Sequence, residues 1–186
     1  MSQKYQYRVD ADDKIVWVDE YWLAFAKENG ASALTEARVI GRPIWDFVAG
    51  DVTLGLFREL HRRVRSSHNP VLLPFRCDSP SLKRFMQLKI VSEEAGGLFY
   101  ESVLVRVEPQ GFLAALDAER PRCHSFLTMC SCCKRALLEP VGWLELEDIA
   151  ARLGIFDAPE VPELRYTVCP ECRHPVNNSS NDGHAA

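Results

Sequence analysis

Cys130-Ser-Cys-Cys133 and Cys169-Pro-Glu-Cys172 set two C-x2-C pairs 35 residues apart in a chain of 186. In each pair the chain turns tightly enough for two thiolates to converge while backbone N–H groups face the sulfurs. Two such knuckles supply four soft anionic ligands in a tetrahedron, which suits Zn2+ at about 2.3 Å. A closed site of this kind holds together a segment too small for a large core of its own. The 35-residue insert exceeds the spacing of common zinc fingers, so it must carry structure: Trp143, Leu144 and Leu146 read as a strand, and residues 147–153 as a short helix ended by Gly154. Cys132 makes a competing pair with Cys130, and His124 and His174 flank the cluster as alternative ligands. The same ligand count would serve an iron–sulfur cluster, but paired knuckles around a long loop fit zinc better.

The remaining cysteines, Cys77 and Cys123, bring the total to seven, six of them after residue 120. An odd, clustered set does not resemble an extracellular disulfide framework and predicts a reducing, cytoplasmic setting. A redox switch is the competing use, with Cys132 or Cys123 as the free thiol that attacks a bound cysteine on oxidation. The opening MSQKYQYRVD has no apolar stretch of the kind a secretory leader needs, and no apolar run reaches the ~20 residues that span a bilayer. Residues 1–110 carry 15 basic and 15 acidic side chains and residues 111–186 carry 7 and 11. Without a strongly basic region, binding to nucleic acid is not expected.

Ahead of the cysteines, YQYRVD and IVWVD read as two short strands around a polar turn. From Asp19 the apolar period becomes helical through Trp22, Leu23, Phe25 and Ala26, with Asp19 as cap and Gly30 as stop. VIGRPIWDFVAG holds a short helical turn from Ile44 to Val48. Asp51 opens an amphipathic helix with Phe57, Leu60 and Val64 on one stripe and Arg58, Arg62 and Arg65 on the other. His61 borders the basic stripe and is expected to be partly exposed. After Pro70 the period returns to two in VLLPFRC, RFMQLKIV and LFYESVLVRV, with Met86, Leu88 and Ile90 sharing a face. The acidic pairs Asp12-Asp13 and Glu93-Glu94 fall in turns and are expected to be solvated, as is the arginine stripe. The arginine stripe could otherwise meet an acidic partner, and Arg76 with Arg84 could hold an anionic group. These elements make an α+β domain: five antiparallel strands with helices covering one face.

The two-strand start, the helical insert containing VIGRPIWDF and the three-strand finish resemble a PAS domain over residues 4–109. PFRCDSPSLKRFMQLKI is similar to the corresponding stretch of small bacterial PAS-like proteins. The resemblance implies sensing of a ligand or partner, and commonly dimerisation; PAS domains of similar fold take haem, flavin, small metabolites or nothing. The flavin type's cysteine motif is absent here, since Cys77 lies on a strand in FRCDSP. The haem type uses a histidine on the long helix, where His61 sits. The C-terminal part resembles a cysteine module attached to bacterial PAS and receiver proteins, through Cys130, Cys133, Lys134, Gly142-Trp143 and Cys169-Pro170-Glu171-Cys172; this chain departs at Cys132, where that module often has an aromatic residue.

No phosphate loop, dinucleotide fingerprint, nucleophile elbow or zinc-protease helix occurs. The expectation is therefore a non-catalytic, cytoplasmic signalling or regulatory protein. It comprises a PAS-like sensor at 4–109, a linker or connecting helix at 110–121, a zinc-ribbon or treble-clef-like module at 122–175, and a disordered tail at 176–186. Structural Zn2+ would be held by Cys130, Cys133, Cys169 and Cys172, and the PAS ligand is unidentified. A homodimer or a signalling protein would be the partner, with a small molecule between sheet and helices as a further candidate. A thiol redox sensor and a haem- or flavin-type PAS sensor are the alternatives.

Overall fold

The structure is a computed structural model that describes residues 3–154 and 158–173. Strands β1 (Lys4–Val9), β2 (Ile15–Val18), β3 (Val71–Arg76), β4 (Leu82–Ser92) and β5 (Leu98–Pro109) form one antiparallel sheet in the order β2-β1-β5-β4-β3. All three helices of this half lie between β2 and β3: α1 (Glu20–Glu28), α2 (Glu36–Val39) and α3 (Asp51–Ser67). This is the PAS-like arrangement that the resemblance implies.

Local sequence explains most of these boundaries. Asp19 caps α1 by accepting a hydrogen bond from the Trp22 N–H at 2.6 Å, and its other carboxylate oxygen accepts from the Gln6 N–H. A 3-10 turn covers Ile44–Phe47, and His68 ends α3 in the left-handed region. Along β4, Met86, Leu88 and Ile90 are buried while Gln87 and Lys89 are exposed, as a period of two requires. Leu60 and Val64 of α3 lie fully buried on Leu88, Ile90 and Tyr100 of the sheet. Burying one such leucine contributes roughly 1.5–3 kcal/mol. The short α2 buries Val39 in the same core.

Two expectations about polar residues are corrected. His61 is 1% exposed, not a rim residue of α3. Its Nδ1 lies 2.6 Å from the Asp13 carboxylate and its Nε2 contacts the Tyr100 hydroxyl. Asp13, expected in solvent, also accepts from the Arg65 guanidinium at 2.6 Å; Arg65 in turn donates to the carbonyls of Asp10 and Gly96. The arginine stripe is divided as a result. Arg58 and Arg62 remain exposed, with Arg62 paired to Glu59, while Arg65 ties α3 to the turns of the sheet.

Beyond β5 the chain builds a second sheet from β6 (Arg122–Cys130), β7 (Ala136–Leu138), β8 (Gly142–Leu144) and β9 (Val161–Thr167), ordered β8-β7-β6-β9. β9 runs parallel to β6, and helix α4 (Leu146–Leu153) fills the crossover, ended by a left-handed Gly154. Its core holds Leu127, Met129, Ala136, Leu146 and Ile149. Leu113 and Ala115, from the segment after β5, are buried in that core and a 3-10 turn at Ala114–Leu116 follows its edge. His174 and residues 176–186 lie outside the described residues.

The two sheets are fastened together. The Arg76 N–H donates to the Cys132 carbonyl at 2.7 Å, and the Thr53 and Ser131 hydroxyls lie 2.7 Å apart. Arg76, 7% exposed, pairs with Asp78 beside it and, at 2.6 Å, with Glu145 ahead of α4. Its charge is therefore already matched internally, in place of the anion-holding role considered for it. Gly50, with φ +88°, lies so close to β9 that a Cβ there would meet the Tyr166 carbonyl oxygen at 2.1 Å.

Candidate metal centre

The first cysteine pair stands where β6 ends. Cys130 closes the strand, Ser131 donates its N–H to the Thr167 carbonyl at 2.7 Å, and the chain turns back with Lys134 in the left-handed region. The Lys134 N–H donates to the Cys130 carbonyl at 3.1 Å, and the Cys130 N–H to the Arg135 carbonyl at 2.8 Å. The second pair follows β9 by two residues. Pro170 opens a helical turn, a position where its missing N–H and fixed φ cost nothing, and the Cys172 N–H donates to the Cys169 carbonyl at 3.1 Å. Because β6 and β9 are parallel, both knuckles emerge at the same end of the sheet.

The Sγ atoms of Cys130, Cys133, Cys169 and Cys172 all lie within 4.8 Å of one another. Cys133 and Cys169 sulfurs are 3.8 Å apart, and the Cys169 N–H points at the Cys130 sulfur from 3.4 Å. Four bonds of about 2.3 Å at tetrahedral angles place sulfurs about 3.8 Å from one another, so this donor set fits a tetrahedral ion. Electrostatics agree. Contact with the Cys130 sulfur, together with burial, pushes the Cys133 thiol up to about 12. Burial pushes Cys169 up to about 11, and burial with the neighbouring Cys169 raises Cys172 further. Four thiolates at this spacing need a cation among them. Arg135, whose guanidinium pairs with Glu171 across the two knuckles, supplies only part of that charge.

Cys132, the geometric competitor, is not among the four. It is half-buried, and its sulfur-bearing residue faces a cleft between the sheets. His124 is exposed on β6 and outside the group, and Cys123 on the same strand bonds Ser125. The cleft encloses about 300 Å³, with Leu56 and Phe57 of α3 and Leu73 and Phe75 of β3 on one side and Cys132 and Cys172 on the other.

Sequence reasoning missed a second polar cluster. The half-buried Asp13 and the buried His61 and Tyr100 form a hydrogen-bonded chain, with Tyr7 stacked on Tyr100 at 4.4 Å and Trp45 against the imidazole. The Asp13 carboxylate fixes the proton on Nδ1, so Nε2 accepts from the Tyr100 hydroxyl. Both ring nitrogens are engaged, and His61 in this setting does not fit as an axial ligand to haem. The spacing of Phe57, Leu60, His61 and Val64 was the available signal: i, i+3, i+4 and i+7 is the pattern of one buried helix face.

No family model and no curated protein sequence matches the chain. Among solved structures it is similar to the PAS domain of Bordetella pertussis BvgS, with 15% identity, 54% of this chain and 71% of that one covered, and a TM-score of 0.38. It is likewise similar to the Aer2 receptor of Vibrio cholerae, a dual PAS-haem oxygen sensor, at 12% identity, 56% and 96% coverage and a TM-score of 0.38. A sensory box sensor histidine kinase of Vibrio cholerae gives 10% identity, 56% and 84% coverage and a TM-score of 0.39. These likenesses are too weak to bear on ligand or activity. The chain's own strand order and helical insert make its N-terminal sheet a PAS-like fold, followed by a four-cysteine cluster on a second sheet.

Proposed function

We propose that this chain is a non-catalytic signalling or regulatory protein of the cytoplasm. Its PAS-like half senses a ligand or partner, and its C-terminal half, folded around structural Zn2+, presents a docking surface. Cys130, Cys133, Cys169 and Cys172 would hold the ion; in a closed four-thiolate site zinc supplies cross-linking and no open coordination position for chemistry. The observation that carries this reading is the direct fastening of knuckle to sensor sheet, from the Arg76 N–H to the Cys132 carbonyl. A shift of β3 in the PAS-like half therefore moves the first knuckle, and what docks on the module is exposed to the state of the sensor. The signal leaves by protein contact, through a homodimer or a separate signalling protein.

Elemental analysis of protein purified without added metal, with zinc and iron measured together, tests it. About one zinc per chain without iron is expected. Stoichiometric iron would transfer the site to an iron–sulfur or haem reading, and the absence of both metals would leave the cysteines as redox thiols.

A further inference from the structure

We infer that the cleft between the two sheets is a binding site for a small uncharged apolar molecule, and that the metal knuckles form one of its walls. The linkage to metal and the preference for an uncharged ligand rest on the zinc reading above; the cleft itself does not. Its volume of about 300 Å³ is at the small end of the ~300–1,000 Å³ typical of ligand sites. Phe57, Leu73 and Phe75 present apolar surface to it and are only half-buried. Apolar side chains around a concave space gain by covering it with a ligand of matching character.

The opposite wall decides the charge of that ligand. It is made by Ser131, Cys132, Glu171 and Cys172. One Zn2+ with four thiolates carries a net charge of about −2, and Glu171 adds a carboxylate that Arg135 offsets. An anion entering an apolar cleft beside this wall would lose hydration and meet repulsion. A fatty carboxylate is thus disfavoured. An alkyl or aryl alcohol meets neither penalty, and its hydroxyl has the Ser102 and Ser131 hydroxyls as partners.

Cys172 both lines the cleft and belongs to the four-sulfur cluster, and Cys132 lies between two of the cluster's cysteines. A wall whose four neighbouring sulfurs a metal would cross-link is held more firmly while the metal is bound. Ligand and zinc must then strengthen each other's binding, by reciprocity of coupling.

The test uses the zinc-loaded full chain and phenylnaphthylamine, an uncharged probe whose fluorescence rises in apolar surroundings. Saturable binding of one probe per chain is expected. Decanol should displace it at least about tenfold more effectively than decanoate at neutral pH. Decanol should also slow zinc release to a chromogenic chelator. Leu73→Trp should fill the cleft and abolish probe binding while zinc content stays at one per chain. Equal displacement by alcohol and carboxylate, or no saturable binding in a protein that carries its zinc, overturns the proposal. A chain without zinc fails the metal reading instead, visible in the zinc content alone, and takes the linkage down with it.

Discussion

At His61 one imidazole joins α3 to the first hairpin through Asp13 and to the sheet through Tyr100. Truncating it removes packing against Trp45 and leaves the buried Tyr100 hydroxyl without its partner, while Asp13 keeps Arg65. His61→Ala should cost about 2–4 kcal/mol in urea unfolding. Burial lowers the pKa of His61, against the pull of Asp13 and with Arg65 nearby adding to the lowering. The unfolded chain therefore takes up this proton at the ordinary value of about 6.5, while the folded one resists it. Stability from this group is complete above that pH and declines as pH falls below it. His61→Gln should flatten the decline, and an unchanged slope in that variant would assign it elsewhere. Arg76 is the other residue on which much converges. Burial would raise Glu145, but Arg76 and Lys83 more than offset this and hold its carboxyl below its usual range. Arg76→Ala leaves the buried Asp78 carboxylate without its ion partner, while Glu145 keeps Lys83, and should cost about 3–5 kcal/mol, whereas Arg76→Met should retain the stem's packing and cost less. The sequence shows that Arg76 ends a strand; its partner at Glu145 is 69 residues away and no local pattern announces it.

The elements most readable from sequence are those whose cause is local. The cap at Asp19, the alternation of β4 and the left-handed stop at Gly154 each follow from neighbouring residues. The pairing of β6 with β9 does not, because a parallel partner must arrive through a crossover, and RCHSFLTMC alone does not specify which strand it will meet. The approach of α3 to β9 is equally non-local. It depends on Gly50, where φ is positive and a side chain would strike the Tyr166 carbonyl. Gly50→Ala is expected to destabilise by at least about 1–3 kcal/mol from backbone conformation alone, with the clash added. Hydrogen exchange should show the loss at both the start of α3 and β9. Loss confined to α3 would mean that the helix and the second sheet open independently.

For the molecule as a whole, the C-x2-C pairs were legible because thiolate spacing is a short-range property, while the cleft was not, being assembled from five strands and helices and both knuckles. Cys169→Ser should abolish metal binding at the cluster, remove protection from exchange across β6–β9, and leave the β1–β5 sheet folded. A single cooperative loss of both sheets would show that the junction at Arg76 and Thr53 makes them one thermodynamic unit. The parallel pairing of β6 and β9 has a kinetic consequence. Strand ends that meet only after a long crossover raise contact order, and such contacts form late. On a ribosome the Cys130–Cys133 knuckle would emerge well before Cys169, so for that interval two thiols wait without their counterparts. Assembly of a metal centre there would thus be paced by synthesis and closure of the crossover, and the supply of metal would matter most at that moment in the life of the chain.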